Sequence, residues 1–281
     1  MVVITGAAGF YLGSLRSGIN SFNLQMVYTL IGIGAVACGS SVLNQVLERR
    51  SDARMVRTLD RPMAAGRIGF AHGLLVGFIA IAAGSLWLAV TTNVITGLLT
   101  LLTAVGYIAI YTPLKPHTTL ATFIGAFPGA MPPLLGWSAA RSIIEWPAVA
   151  LFAILFVWQF PHFMAIGWLY REDYARGGIR VTAVAEPDGR STVIQSLVYA
   201  ILMVPVSLAP VWLQMDGLPY GIAAVILGAG YLAYTIRFAR IVHEPDPIAS
   251  RRYARDLLRA SVIYLPLLLA CMMLNAKGKM F

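Results

Sequence analysis

The sequence predicts an all-α, polytopic membrane bundle of eight to nine transmembrane helices. Composition, run length and the placing of charge all point there. Of the 281 residues, 58% are hydrophobic and only 12% are charged; a soluble domain carries roughly 25% charged residues. Mean hydropathy is +0.75. Apolar runs fall at 24–46, 69–90, 93–112, 120–138, 147–169, 193–213, 219–238 and 257–275, each near the ~20 residues that cross a bilayer. Residues 1–14 read as one further crossing, a first helix cut short. No hydrophilic stretch is long enough for a separate soluble domain, so residues 1–281 are expected to form one integral-membrane unit.

Charges, glycines, prolines, Asn and Asp mark the ends of these runs, where backbone leaves hydrocarbon. The net charge of +9 would suggest nucleic acid in a soluble protein. Here it sits in the gaps between apolar runs, so membrane orientation explains it and no nucleic-acid partner is expected. If loops alternate sides, one side receives 48–68, 113–118, 170–192 and 237–259, with 17 of the 21 Lys and Arg residues. The positive-inside rule makes that side cytoplasmic, and a multi-pass location in the cell (inner) membrane is expected. Cys38 and Cys271 lie inside apolar runs with no metal-binding spacing, and read as packing residues.

The N-terminal run Thr5-Gly6-Ala7-Ala8-Gly9-Phe10 resembles a dinucleotide-binding loop only superficially. Its glycine spacing is off by one and no βαβ unit follows. It reads instead as a helix whose small residues let neighbours approach. Without a basic leading segment or a small-residue cleavage site, it does not read as a signal peptide.

Two loops on the basic side carry acids beside the bases. In the first, Asn44, Glu48 and Asp52 are spaced i, i+4, i+8, which puts them within about 80° of arc on one helical face. Such a set suits Mg²⁺, which takes a few carboxylates and completes its shell with water and phosphate oxygens. Arg54, Arg57 and Arg61 follow immediately, and Arg suits bidentate phosphate recognition. Acids and bases together fit a metal-bridged diphosphate. A solvated helix end would show similar charges, but Asn44 and Glu48 continue the apolar periodicity to membrane depth, where polar groups mark function. The other loop adds Asp173, flanked by Glu172 and followed by Arg176 and Gly177-Gly178. Lys115 lies on the same side and can reach a phosphate as a point charge. His162, just beyond Pro161 in an apolar run, reads on its own as a packing residue.

These residues resemble a family. Asn44-Gln45-x-x-Glu48-x-x-x-Asp52-x-x-Met55-x-Arg57-Thr58-x-x-Arg61-Pro62 is similar to the signature of the protohaem IX farnesyltransferases, in the UbiA-type prenyltransferase superfamily. Tyr111-Thr112-x-x-Lys115, Gly125-Ala126-x-x-Gly129-Ala130-x-Pro132-Pro133, Trp158-Gln159-Phe160-Pro161-His162-Phe163 and Asp173-Tyr174-Ala175-Arg176 follow in order. The resemblance implies a UbiA-like fold that transfers farnesyl from farnesyl diphosphate to a vinyl group of haem B, giving haem O. Haem B is then a substrate, and the bilayer and a downstream haem A synthase are partners. It further implies Mg²⁺ on Asn44, Glu48, Asp52 and Asp173, with phosphate contacts from Arg54, Arg57, Arg61, Lys115 and Arg176. Tyr111, Trp158 or Tyr174 would shield an allylic cation, and His162 would orient haem. Some positions depart from the family: Arg180-Val181 replaces a usual Pro-Met, His117 a usual Arg, and the second loop offers only Asp173 as a clear match. Two other readings compete. A quinone-pathway prenyltransferase would carry a second paired-acid motif, and a small-solute transporter would show inverted repeats.

Overall fold

The computed structural model describes residues 1–18, 20–244 and 246–277 and is helical. The long helices are α1 (Val2–Ser17), α2 (Leu24–Asp52), α3 (Phe70–Thr91), α4 (Val94–Leu114), α5 (Ala121–Arg141) and α6 (Trp146–Leu169). A short α7 (Arg171–Gly177) precedes α8 (Arg190–Trp212), α9 (Leu218–Phe238) and α10 (Pro247–Asn275). Seven of these, α2, α3, α4, α6, α8, α9 and α10, are long and apolar enough to cross a membrane. The 16-residue α1 and the proline-bearing α5 complete the bundle. The chain is a multi-pass membrane protein.

Local sequence sets the helix ends. The side chains of Asn23, Asn93 and Asp246 accept from free backbone N–H groups in the first turns of α2, α4 and α10. At the end of α1, Gly18 takes φ 68°, a left-handed cap that glycine adopts without strain.

Helices α2 and α3 pack as an antiparallel pair, α1 lies along α5, and α6 sits between α5, α8 and α10. Trp137, Leu151, Ile154, Met203, Tyr220, Phe238 and Leu257 form the centre of the core. Several polar groups inside it are paired, as hydrocarbon favours. Trp158 Nε1 donates to Ser261 O at 2.9 Å, Tyr231 O–H to Trp158 O at 3.1 Å, and Trp168 Nε1 to Ser250 Oγ at 2.7 Å.

Helices α1 and α5 touch backbone to backbone. A Cβ on Gly9 would lie 1.9 Å from Pro133 O, and one on Gly136 would lie 1.9 Å from Gly6 O. At their shared end, Arg141 donates to Ser17 Oγ at 2.8 Å and to Glu145 at 2.9 and 3.1 Å. Arg141 thereby holds the Glu145 carboxyl below its ordinary range, helped by Trp137 Nε1.

On the same far face, Asp216 is buried between α8 and α9 with both carboxylate oxygens unpaired among the described residues. Burial pushes it up to about 7, with Lys277 pulling the other way. Its native value lies above the unfolded ~3.9, so the native state keeps the proton longer. Stability therefore falls as pH rises from ~4 to about 7. Asp216→Asn, isosteric with the protonated acid, is expected to raise the melting temperature at pH 8 and to leave it nearly unchanged at pH 4. Melts at the two pH values check this, and an equal shift at both would remove the assignment.

Candidate active site

The polar residues of α2 meet those of α4 and the 170s loop in a cavity of about 210 Å³ at the basic-loop end of the bundle. Asn44, Glu48 and Asp52 line it from one helical face, as their spacing predicts. Asn44 Nδ2 donates to Thr112 Oγ1 at 3.2 Å, and Thr112 Oγ1 donates to Tyr107 O at 2.9 Å. That carbonyl also accepts the Thr112 backbone N–H, closing a π-helical turn over Gly106–Tyr111, a feature common at functional sites. The wider turn brings both Tyr107 and Tyr111 to the cavity.

Each carboxylate has a basic partner. Lys115 Nζ lies 2.7 Å from Glu48 Oε1, and Arg61 Nη1 donates to both oxygens of Asp52 at 3.0 and 2.9 Å. Lys115 Nζ also stands 4.5 Å from the Tyr111 ring centroid. Residues 53–66 fold into turns that carry Arg57 and Arg61 over the cavity, and Thr58 Oγ1 fastens them to Asp52 O at 3.0 Å.

Asp173 holds those turns from the opposite side. Its carboxylate accepts from Val56 N–H at 3.1 Å and Arg57 N–H at 3.4 Å, and pairs with Arg176. Arg176 holds the carboxyl below its ordinary range, with burial opposing and the two N–H groups assisting. This brace is present above an ordinary ~3.9 and is lost as pH falls through the lowered native value. Tyr174 fixes the side chain of Arg57 through its hydroxyl, which accepts from Nη2 at 3.2 Å.

Not every predicted residue is brought together. Asp173 does not line the cavity, because its oxygens are committed to the 53–66 backbone. Arg54 points to solvent and Arg176 is spent on Asp173. Trp158 and His162 share the face of α6 turned to α10, where His162 Nδ1 meets Ser261 Oγ at 2.7 Å and its ring stacks on Trp158 at 4.8 Å. The next face, about 100° round the helix, carries Gln159 and Phe163 to a different cavity. That cavity, about 360 Å³ and largely apolar, begins at Tyr107 and Tyr111 and runs past Ile33, Val36, Ala104 and Pro132.

Arg180 lines the polar cavity and was not anticipated there. Gly178, at φ 71°, turns the chain so that Arg180 N–H donates to Lys115 O at 2.9 Å. Its only sequence signal is a base placed just after a Gly-Gly pair.

Among the described residues, no three His, Cys, Asp or Glu side chains stand close enough to hold a metal by themselves. The donor set is nonetheless of the kind Mg²⁺ accepts, with two carboxylates and an amide on one face and room for phosphate oxygens.

A model of the UbiA prenyltransferase family matches residues 2–262. The protoheme IX farnesyltransferase of Koribacter versatilis is 46% identical over 275 residues, covering 98% of this chain and 89% of that one. The same enzyme of Solibacter usitatus is 42% identical, covering 91% and 85%. The fold matches a digeranylgeranylglyceryl phosphate synthase, with a TM-score of 0.77, 18% identity and coverage of 98% and 92%. It also matches a UbiA homologue from Archaeoglobus fulgidus bound to GPP and Mg²⁺, with a TM-score of 0.57, 16% identity and 96% coverage of each chain. The chain belongs to the UbiA prenyltransferase family, and the protoheme IX farnesyltransferases are relatives within it.

Proposed function

We propose that this chain transfers a farnesyl group from farnesyl diphosphate to a vinyl group of haem B, producing haem O. One observation carries the reading: a polar cavity with acids and bases opens through a collar of two tyrosines into a long apolar one. A molecule with a diphosphate head and an isoprenoid tail fits that sequence of environments. The names of the relatives at 46% and 42% identity support haem as the acceptor. The basic loops support a cavity mouth on the cytoplasmic side of the inner membrane.

Arg57, Arg61, Lys115 and Arg180 donate to the phosphate oxygens. Asn44, Glu48 and Asp52 would hold Mg²⁺, which would supply positive charge to the departing diphosphate. The C1–O bond of farnesyl diphosphate breaks, and its electron pair leaves with the diphosphate. The faces of Tyr107 and Tyr111 border the allylic carbon at that moment and favour its positive charge. The haem vinyl π pair forms the new bond to C1, and water adds to the resulting cation with loss of a proton. Asp173 and Tyr174 act as positioning residues through Arg57. Trp158 and His162 stand outside both cavities and serve packing between α6 and α10.

The test is to supply haem B and farnesyl diphosphate to membranes containing the chain and look by mass for haem O. No product, or product only with an aromatic acid acceptor, overturns the proposal. The apolar cavity makes a further expectation. A Cβ at Gly129 would lie 2.1 Å from Gln159 Oε1, so Gly129→Ile narrows the tail channel part-way along. The variant is expected to shift the kcat/KM ratio by about tenfold or more from farnesyl toward geranyl diphosphate, measured by competition in one reaction.

A further inference from the structure

A third cavity, of about 620 Å³, lies between α9 and α10 and shares no residue with the two above. On α9 it is lined by Ile226, Gly230, Tyr234 and Arg237, and on α10 by Arg252, Asp256, Arg259 and Ile263. These positions repeat at i, i+4 and i+7 or i+8, so each helix turns one continuous face to the groove.

The groove has a charged end and an apolar end. Arg237 and Asp256 face each other at 3.5 Å. Arg252 and Arg259 are exposed and have no acidic partner or hydrogen bond among the described residues. One acid against three guanidiniums leaves the mouth positive. The α9 helix, at about 1.5 Å per residue, just spans the ~30 Å of hydrocarbon. Arg237 therefore sits at the boundary, Gly230 about 10 Å and Ile226 about 16 Å inside it. The 29-residue α10 is longer than the hydrocarbon is thick by about 13 Å, so Arg252 stands in the headgroup layer and Arg259, about one turn inside the boundary, reaches that layer with its long side chain. Gly230 keeps the inner part open, since a Cβ there would meet nothing within 4 Å.

We propose that this groove binds an anionic diacyl phospholipid of the phosphatidylglycerol kind. Its phosphate sits between Arg252 and Arg259, and an acyl chain lies over Gly230 toward Ile226 and Ile263. A free phosphate would have no use for a floor at hydrocarbon depth. A zwitterionic lipid would bring a cation to a mouth that already carries an excess of positive charge.

Native mass spectrometry of the full chain in a neutral detergent tests this. Phosphatidylglycerol is expected to remain as a one-to-one adduct, while phosphatidylcholine with the same chains and inorganic phosphate do not. Arg252→Gln with Arg259→Gln is expected to weaken phosphatidylglycerol binding by about thirtyfold, the size two interfacial guanidiniums bring. Gly230→Leu fills the groove without touching the arginines and places a better helix former there. It is expected to remove the adduct while the protein stays folded. Equal retention by the double variant or by Gly230→Leu, equal binding of phosphatidylcholine, an inorganic phosphate adduct, or displacement of the lipid by haem B would each overturn the assignment.

Discussion

Asp52→Ala is expected to lower kcat/KM for farnesyl transfer by about a thousandfold, the upper range for losing one preorganised electrostatic contact to a transition state. Asp52 lies at the last turn of α2, 1% exposed, and both its oxygens reach the cavity that also holds Arg61. Removing the carboxylate deletes an oxygen ligand and leaves Arg61 without its partner, so both charges of the site are misplaced together. The fold is expected to survive, because Thr58 bonds to the main-chain oxygen of Asp52, which the substitution keeps. Turnover by mass in membranes, alongside a melt in detergent, separates the two effects. A folded variant with more than a tenth of the parent rate would remove Asp52 from the site.

The largest stability effect is expected at Gly136. Its missing Cβ is replaced by the backbone of α1, with Gly6 O at 1.9 Å and Phe10 N at 2.7 Å from where a Cβ would be. No side-chain rotation relieves a collision with backbone, so α1 must move away from α5 and lose the buried contacts of Phe10 and Leu12. Gly136→Leu should cost at least the upper end of the about 1–3 kcal/mol seen for overpacked cores. Gly230→Ala supplies the contrast, since open space and better helix propensity predict no loss there. Detergent melts of the two variants decide it, and similar melting temperatures would refute the close contact.

The crossings and the first motif were legible because both depend on short-range periodicity. Apolar run lengths gave the helices, and i, i+4, i+8 put Asn44, Glu48 and Asp52 on one wall. The tryptophan-histidine pair was not legible. Positions 158 and 162 share a face, as do 159 and 163, and nothing local says which face meets a cavity and which meets α10. Asp173 reads as one of the metal ligands for a related reason. A carboxylate near a metal motif reads as a ligand, whereas its partners, the N–H groups of Val56 and Arg57, lie over a hundred residues away. The π-helical turn that aims Tyr107 and Tyr111 leaves no periodic trace in so short a stretch.

The pairing of every acid at the site has a consequence for how a substrate is received. Glu48 with Lys115 and Asp52 with Arg61 leave little unbalanced charge within the two pairs. A bare cation must evict a guanidinium or ammonium to reach a carboxylate, and a bare diphosphate meets only Arg57 and Arg180 outside acid pairs and must pull Lys115 and Arg61 from theirs. Arriving together, the cation takes the acids and the diphosphate takes the bases, so each exchange releases the partner the other needs. Mg²⁺ and prenyl diphosphate should therefore each bind weakly alone and strengthen one another, with the reciprocity that linkage demands. The closed ion pairs are a latch that only the complete substrate opens.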